Sequence, residues 1–399
     1  MAITDKEQGV WELDEVYNKI NQGGIWDYSE SFALWTWGAN QGGTLGLNQP
    51  GAAPVKYSSP VQVPGTNWVG FWSGKGASGD YVFASKNADD DFWVWGSNSS
   101  GSLGLGQGTN VKLSSPAQVP GSWSNVEVGF YGGLGVKTSG GLFIWGYNSD
   151  GQLGQNNTTN YSSPIQVGSD TTWSGSVNHI TQGGYATGAL KTDGTLWTWG
   201  ENQVGVLGHN NKTKESSPKQ VGTNTTWNSI SIGGGNAEEH ALALKTDGTA
   251  WAWGDNGNGR LGLNNTTDYS SPKQIPGTTW ARVQTSSGRY SWGVKTDGTL
   301  WTWGQNDGGW LGHNNRTDYS SPKQVPGTTW DKDKVSASSE AIGAVKTDGT
   351  LWVWGGNDGG WLGQNTPQNT KHSSPTQIPG TDWTDIFVRS MGMAALRLP

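Results

Sequence analysis

The residues of this chain that are best suited to contact a ligand or a partner lie in one short loop, which recurs at intervals of about 50 to 58 residues. Successive copies of the loop carry phenol, carboxylate, guanidinium and imidazole groups rather than one repeated side chain. These groups supply hydrogen bonds, charge and rigid aromatic area, which are the properties of a recognition surface. We therefore predict partner or ligand binding by the following residues: Asp80, Tyr81, Tyr131, Tyr185, Glu239, His240, Arg289, Tyr290, Glu340 and Arg389.

The pattern of residues does not indicate catalysis or metal binding. The five histidines are scattered and the chain has no cysteine. It contains no nucleophile elbow, no H-E-x-x-H pair and no glycine loop that leads into a helix, so the usual hydrolase, zinc-protease and phosphate-binding signatures are absent. Glu238-Glu239-His240 is the densest polar cluster, and we interpret it as hydrogen bonding. We expect a protein that is not an enzyme, with no catalytic residues, no metal and no cofactor.

The variable loops are positioned by a repeated frame, W-G-x-N-x-x-G-x-L-G. Its seven copies begin at these residues: Trp37, Trp95, Trp145, Trp199, Trp253, Trp303 and Trp354. The interval between copies is in the range in which one repeat is one supersecondary unit of a solenoid or propeller. Because all seven copies share the frame, we interpret it as architecture and expect function where the copies differ.

Each repeat is predicted to form a small antiparallel sheet. In residues 188–200, two alternating runs flank Thr192-Asp193-Gly194-Thr195, and Asp-Gly between such runs predicts a hairpin. Trp197 and Trp199 should share one face of the second strand, because side chains alternate along a strand. The Ser-Ser-Pro segment that follows indicates an outer strand, where the missing N–H of proline is tolerated. Twenty of the 26 tryptophans occur at repeated positions, namely in the Trp-x-Trp strand and in the turn after the Ser-Ser-Pro strand. These twenty are therefore predicted to form the core.

Composition supports one all-β domain and excludes several classes of partner. The chain has 64 glycines and only 14% charged residues, which disfavours a helical protein. Its net charge is −7 and it has no run of Lys or Arg, so we expect no nucleic-acid partner. No apolar run is long enough to insert into a membrane, and the start of the chain lacks the pattern of a secretory signal.

The two ends of the repeated region predict a closed ring. The first copy begins directly at Phe32-Ala33-Leu34-Trp35 and lacks the preceding arm of the hairpin. Near the other end, Ala394-Ala395-Leu396-Arg397 matches Gly188-Ala189-Leu190-Lys191 with no frame after it. The last residues are therefore predicted to supply the strand that the first blade lacks, which removes exposed sheet edges.

Residues 1–30 are predicted to form a separate helical arm. Four apolar residues in this segment fall on one face of a helix, and two tryptophans flank them. So short a helix needs a docking surface, either on its own propeller or on another subunit. The predicted anchor residues are Trp11, Leu13, Val16, Tyr17, Ile20 and Trp26.

The order of hairpin, tryptophan frame, Ser-Ser-Pro-x-Gln-Val and a further tryptophan resembles the repeat of the regulator-of-chromosome-condensation family, over roughly residues 31–399. The resemblance implies a seven-bladed β-propeller of four-stranded blades, with the variable loop near the central channel on one face. Members include a guanine-nucleotide exchange factor, a plant UV-B photoreceptor and secreted inhibitors of β-lactamase. The Gly-Trp-Arg-His-Thr signature of the photoreceptor is absent, since residues 183–187 are Gly-Gly-Tyr-Ala-Thr.

A second resemblance concerns the start of the chain, where Gly9-Val10-Trp11-Glu12-Leu13 is similar to leading segments of bacteriophage virion proteins. It implies a non-enzymatic binding and assembly scaffold of a phage virion, in a tail, an appendage or the capsid surface. Residues 1–30 would attach to other virion structural proteins, and the variable loops would recognise a host-surface glycan or protein. The expected location is the virion or otherwise the cytoplasm, and homo-oligomerisation is left open. The alternative is a protein-binding regulator, either an enzyme inhibitor or a protein that acts like a GTPase exchange factor.

Overall fold

A computed structural model describes residues 33–40, 43–49, 56–64, 68–73, 82–87, 91–108, 111–235, 238–358, 360–364, 370–389 and 392–397. The predicted helical arm with its anchor residues lies outside these ranges, as do Asp80 and Tyr81. Regular structure within them consists of twenty-eight β-strands and one short 3₁₀ turn, Ser99–Gly101. Across the described ranges, no helix has the length and apolar character needed to cross a membrane.

Within the described residues the strands form seven four-stranded antiparallel sheets, which we number as blades in the order of their frame tryptophans. Blade 1 contains β27 (Trp383–Arg389), β28 (Gly392–Arg397), β1 (Ala33–Ala39) and β2 (Lys56–Gln62). Blade 2 contains β3 (Trp68–Ser73), β4 (Val82–Asn87), β5 (Phe92–Ser97) and β6 (Lys112–Val119). Blade 3 contains β7 (Trp123–Val128), β8 (Gly132–Lys137), β9 (Leu142–Gly146) and β10 (Tyr161–Gln166).

The remaining blades repeat the same order of strands. Blade 4 contains β11 (Ile180–Gln182), β12 (Ala186–Leu190), β13 (Leu196–Gly200) and β14 (Glu215–Gln220). Blade 5 contains β15 (Trp227–Gly233), β16 (His240–Lys245), β17 (Ala250–Gly254) and β18 (Tyr269–Gln274). Blade 6 contains β19 (Trp280–Thr285), β20 (Tyr290–Lys295), β21 (Leu300–Gly304) and β22 (Tyr319–Gln324). Blade 7 contains β23 (Trp330–Ala337), β24 (Ala341–Lys346), β25 (Leu351–Gly355) and β26 (His372–Ile378).

The blades are arranged around a ring. The innermost strands contact one another in the closed cycle β27, β3, β7, β11, β15, β19, β23 and back to β27. The Ser-Ser-Pro strand lies at the outer edge of every sheet. These contacts confirm the predicted all-β propeller of four-stranded blades and the predicted outer position of Ser-Ser-Pro.

Local contacts explain why each repeat folds as a hairpin followed by a frame. The Asp193 carboxylate accepts hydrogen bonds from the backbone N–H of Thr195 at 2.9 Å and from its hydroxyl at 2.7 Å, which holds the turn. The rings of Trp197 and Trp199 both contact Trp173, at centroid distances of 6.4 and 6.2 Å. The two indoles therefore lie on one face of β13, as predicted.

The frame also joins neighbouring blades. In each blade, the frame tryptophan donates its indole N–H to a backbone carbonyl in the frame loop of the preceding blade, with N···O distances from 2.6 to 3.3 Å. The acceptor is always the eighth frame residue. The donor and acceptor pairs are Trp37 and Trp361, Trp95 and Thr44, Trp145 and Ser102, Trp199 and Gln152, Trp253 and Val206, Trp303 and Arg260, and Trp354 and Trp310.

The last glycine of the frame permits this contact. Gly208 has a φ of +74°, and a Cβ built on it would lie 2.9 Å from Nε1 of Trp253. A side chain here would be strained by the backbone conformation and would also displace the indole of the next blade. The frame asparagine holds the same loop, because the Asn202 side-chain oxygen accepts the N–H of Leu207 at 3.0 Å.

The ring closes between the two ends of the described chain. Strand β1 pairs with β28 along its length, from Ala33 opposite Arg397 to Gly38 opposite Gly392. This pairing confirms that C-terminal residues complete the first blade. The structure adds a second C-terminal strand, since β27 occupies the innermost position of the same sheet.

We predict that Gly208→Ala destabilises the fold more than Gly222→Ala. Both glycines have positive φ, but a Cβ on Gly222 would meet nothing within 4 Å. Each variant should lose about 1 to 2 kcal/mol from backbone strain, and Gly208→Ala should lose about 1 to 3 kcal/mol more through overpacking against Trp253. Chemical denaturation measures both free energies of unfolding. Equal losses would show that the approach of the indole does not matter.

We also predict that removal of residues 391–399 destabilises the whole ring. The deletion takes away β28, which leaves β1 and β27 of blade 1 without the strand between them. Thermal unfolding should show a lower melting temperature, and size-exclusion chromatography should show association through the freed strand edges. A truncated chain with an unchanged melting temperature and a single monodisperse peak would contradict the closure.

Candidate functional site

Five of the predicted site residues occupy one structurally repeated position, just beyond the end of an innermost strand. The backbone carbonyl of each accepts a hydrogen bond from the N–H of the third frame residue in its own blade, with N···O distances between 2.8 and 3.1 Å. We call these five the ring residues, and we call the side of the propeller that carries them the loop face. The pairs of ring residue and donor are Tyr131 and Tyr147, Tyr185 and Glu201, Glu239 and Asp255, Arg289 and Gln305, and Glu340 and Gly356.

The first glycine of the frame, which follows the tryptophan, is explained by the same contact. Gly200 has a φ of +107°, and a Cβ built on it would lie 2.3 Å from the carbonyl oxygen of Tyr185. The frame therefore fixes the backbone of the ring position and leaves its side chain free to vary. This is the sequence signature of a constant scaffold that presents a variable surface.

Three tyrosines form a continuous aromatic surface over blades 3 and 4. The ring centroid of Tyr131 lies 5.6 Å from those of Tyr147 and Tyr185, which are 6.4 Å from each other. All three side chains are half-buried. Burial, followed by a hydrogen bond with Tyr131, raises the pKa of Tyr185, so its phenol stays neutral. The cluster offers rigid amphipathic area, of the kind that is enriched at protein interfaces.

Beside the tyrosines, two groups of charged side chains on the loop face form ion pairs. The Lys214 ammonium forms ion pairs with Asp150, at 2.5 Å, and with Glu201. Arg289 makes a bidentate pair with Glu238, at 2.5 and 2.6 Å, which joins the loops of blades 5 and 6. Both members of this second pair are partly exposed, so a partner can contact them.

Glu239 is buried between blades 4 and 5 rather than exposed. Its side chain is 1% exposed, and one carboxylate oxygen accepts the N–H groups of Tyr185 at 2.7 Å and Ala186 at 3.3 Å. Burial raises the pKa of Glu239 to about 8, while backbone hydrogen bonds from Tyr185, Ala186 and Gly184 act in the opposite direction. The carboxyl group therefore fastens the loop that carries Tyr185 to the next blade.

His240 and Tyr290 are also interior residues. His240 is 0% exposed, and its Nε2 lies 2.8 Å from the Ser291 hydroxyl of blade 6. The hydroxyl of Tyr290, which is 0% exposed, shares its one proton between the carbonyl oxygens of Ser338 at 2.7 Å and Ala341 at 3.0 Å in blade 7. In contrast to the sequence-based expectation of contact residues, both side chains connect blades and hold the loop face in shape.

The structure thus separates the predicted residues into groups. Tyr131, Tyr185, Arg289 and Glu340 reach the loop face, whereas Glu239, His240 and Tyr290 lie beneath it. Arg389 ends β27, and its backbone alone is described. The described part of the chain holds no group of three His, Cys, Asp or Glu residues that could bind a metal ion.

Sequence reasoning missed a segment at the opposite opening of the channel. Residues 174–179 separate Trp173 from β11. They form hydrogen bonds with three other blades. The carbonyl of Ser176 accepts from the Asn125 amide at 2.9 Å, in blade 3. The side-chain oxygen of Asn178 accepts from Gln284 at 2.5 Å and from Arg282 at 3.3 Å, in blade 6.

The signal for this segment was present in the spacing of the repeat. Seven positions separate Trp173 from Ile180, whereas three separate Trp227 from Ile230. The segment also binds blade 5, because the carbonyl of Asn178 accepts the N–H of Ile230 at 3.0 Å. These bonds commit the segment to joining blades 3, 5 and 6, so the loop face is the better candidate for binding.

Comparison with known proteins places these features among related chains. The sequence model of one family, the RCC1-like domain, matches residues 33–395. The Ultraviolet-B receptor UVR8 of Arabidopsis thaliana is 29% identical over 259 residues, which cover 64% of this chain and 56% of the receptor. Human protein RCC2 is 36% identical over 87 residues, 22% of this chain and 16% of that protein. The aligned region thus spans less than two thirds of these relatives.

Solved structures show the same architecture. Prp20p from Saccharomyces cerevisiae aligns with a TM-score of 0.78 at 18% identity, covering 98% of this chain and 96% of that chain. Yeast RCC1 (Prp20) bound to Kap60 gives 0.76 at 19% identity, covering 93% and 91%. Human WBSCR16 gives 0.75 at 19% identity, covering 92% and 98%. At these identities the similarity shows the propeller fold alone.

The buried carboxyl group of Glu239 predicts a pH-dependent stability. A carboxyl group whose pKa is raised from 4.5 to about 8 by folding stabilises the fold below pH 4.5 and loses that contribution as the pH rises towards 8. Since one pKa unit corresponds to about 1.4 kcal/mol, a rise in pKa of about 3.5 gives a full effect on the order of 5 kcal/mol. Glu239→Gln keeps an acceptor and removes the titration, so its melting temperature should vary less between pH 5 and 8.

Glu238→Gln is the matched control for this measurement. Glu238 is adjacent in sequence but partly exposed and paired with Arg289. This variant should keep the pH dependence of the unchanged protein in thermal unfolding followed by circular dichroism. If Glu239→Gln keeps it as well, another group is responsible for the dependence.

Proposed function

Since the chain belongs to the RCC1-like domain family, we propose that it is a non-enzymatic protein-binding regulator that engages its partner through the loop face. The family supplies the propeller, and the function depends on side chains that differ from blade to blade. The same face carries the described ring residues that reach the surface, and the frame holds their backbones in one register.

The tyrosine cluster is the observation that carries this proposal. Tyr131, Tyr147 and Tyr185 expose part of their rings over two adjacent blades, and their backbones are fixed by the frame. Large aromatic side chains that lose little conformational entropy are typical of the centre of protein interfaces. Paired charges around them, at Lys214 and Arg289, resemble the polar rim of such an interface.

The relatives support a protein partner over other ligand classes. Prp20p has binding properties to Gsp1p and histones, and the structure of yeast RCC1 (Prp20) contains Kap60 bound to it. Human HERC2, an E3 ubiquitin-protein ligase, is 30% identical over 130 residues, which are 29% of this chain and 3% of the ligase. We extend to this chain the common element, which is association with other proteins.

Two modes of regulation fit a rigid binding face. As an inhibitor, the chain covers the active site of a partner enzyme, and its rigidity reduces the entropic cost of binding. As a protein that acts like an exchange factor, it binds a GTPase and favours the conformation that releases nucleotide. In both modes the chemistry belongs to the partner, and the ring residues supply binding energy.

The phage virion function remains a prediction. It depends on residues 1–30, which lie outside the described residues. The relatives named above are a receptor, a ubiquitin ligase and RCC1-type proteins rather than virion components. They favour the regulator over the virion scaffold.

Site-specific photocrosslinking tests the proposed face. A benzophenone amino acid at Tyr185 should crosslink a partner protein in extract of the source cells, whereas the same group at Thr223, in a turn on the opposite face, should not. Combined Tyr185→Ala and Arg289→Ala should weaken binding of the identified partner by about 2 to 4 kcal/mol, because interface Tyr and Arg residues are common hot spots. Calorimetry with the purified partner measures the loss.

The two modes are separated with the same partner. An exchange factor accelerates release of labelled GDP from a GTPase, and an inhibitor lowers the turnover of an enzyme. Equal crosslinking from both faces, or full affinity of the double variant, would remove the loop face from consideration.

A further inference from the structure

Trp310 and Trp361 depart from the pattern of the repeat. Both occupy the eighth frame position, where the other five blades carry Thr, Ser, Gln, Val or Arg. The carbonyl of each residue accepts the indole N–H of the next blade, as at every other junction. That contact uses the backbone alone, so it requires no tryptophan side chain. The two half-buried indoles therefore need another explanation.

The indole of Trp310 packs over Tyr290 and is half-buried. It stacks on Tyr290 with ring centroids 6.2 Å apart and an interplanar angle of 23°, and its N–H donates to the carbonyl of Gln305 at 2.5 Å. A Cβ on Gly308 would lie 2.1 Å from this indole, so glycine gives it the room to lie over the loop. The ring is thus held in one orientation with part of it exposed.

Acidic residues accompany the two indoles in the loops of blades 6 and 7. Glu340 is the ring residue of blade 7, in the loop whose carbonyls bind the Tyr290 hydroxyl. Asp307 and Asp358 occupy the fifth frame position of blades 6 and 7 and are exposed. We call these residues the indole–acid patch: Asp307, Trp310, Glu340, Asp358 and Trp361.

The carboxylates of the patch differ from those beside the ring residues of blades 3 to 5. Asp150, Glu201, Glu238 and Asp255 are each paired with Lys214, Arg289 or Arg260. Within the described residues, Asp307, Glu340 and Asp358 form no ion pair. Burial, and then the charge of Asp358, raise the pKa of Glu340, while Lys371 acts in the opposite direction. A cation of a partner, in addition to Lys371, would therefore interact favourably with the Glu340 carboxylate.

We propose that the indole–acid patch receives an arginine-bearing segment of the partner protein. A guanidinium group stacks on an indole face and forms bidentate hydrogen bonds with a carboxylate, so the two kinds of side chain in the patch suit the two properties of arginine. Lysine is a point charge that stacks less well. The inference rests on the proposed function, because it assigns the partner chemistry of one part of the same face.

Peptide binding tests the patch independently of the natural partner. The probe is a labelled decapeptide of alternating arginine and glycine, followed by fluorescence anisotropy, with lysine–glycine and glutamate–glycine peptides for comparison. The unchanged protein should bind the arginine peptide several-fold more tightly than the lysine peptide. It should not bind the glutamate peptide.

The charge-removing variant combines Asp307→Asn, Glu340→Gln and Asp358→Asn. It should weaken the arginine peptide about tenfold, since three interface charges are lost. The matched control combines Asp247→Asn, Asp297→Asn and Asp348→Asn, in hairpin turns at the opposite ends of the blades. It changes the net charge by the same amount, retains the side-chain oxygens that hold the turns, and should keep affinity within about twofold.

The indole contribution is measured separately with Trp310→Gln and Trp361→Gln, which introduce the residue type that blade 3 carries at Gln152. Each should weaken the arginine peptide by about two- to fivefold. Melting temperatures establish that the variants are folded. Full affinity in these indole variants, or equal weakening by the two triple variants, would overturn the patch.

Failure of this inference is distinguishable from failure of the proposed function. If the triple patch variant keeps full affinity for the crosslinked partner while Tyr185→Ala with Arg289→Ala loses it, the face binds proteins and the patch is wrong. If no partner crosslinks from Tyr185, the patch is still judged by the arginine peptide alone.

Discussion

The ring depends on one repeated hydrogen bond, from the indole N–H of a frame tryptophan to a carbonyl in the preceding blade. A typical hydrogen bond contributes about 1 kcal/mol net, but an unsatisfied buried donor or acceptor costs more, about 1 to 3 kcal/mol. A side chain as large as tryptophan also fills the space between two sheets. Each pair of neighbouring blades therefore packs in one relative position, and the seven junctions together fix the ring.

The invariant parts of the frame follow from this contact. The last glycine admits the neighbouring indole, the asparagine fixes the loop that carries the acceptor, and the leucine lies in the core. The eighth residue contributes its carbonyl alone, so its side chain is free to change. It is Val206 in one blade, Arg260 in another and Trp310 in a third, with the same bond in all three. A structural constraint of this kind leaves defined places for functional variation.

Features that repeat along the chain could be predicted from the sequence, whereas contacts between blades could not. Local sequence patterns indicate the hairpin at Asp193 and the outer Ser-Ser-Pro strand. The spacing of the repeats indicates the pairing of β1 with β28. The burial of Tyr290 depends instead on carbonyls near Ser338, about one repeat away in sequence. Glu239 likewise lies inside because its acceptor oxygen meets the N–H of Tyr185 in the neighbouring blade. No local sequence pattern indicates such a contact between two blades.

The pairing of β1 with β28 has a consequence for biosynthesis. Among the described strands, β1 is the first and β28 the last to emerge from the ribosome, yet they are neighbours in one sheet. Throughout translation of the intervening blades, one side of β1 presents unpaired N–H and C=O groups. From the synthesis of β1 until β28 has emerged, the nascent chain therefore carries an open strand edge, and such edges recruit other strands. A chaperone that covers this edge until β28 pairs with it would therefore reduce association between nascent chains.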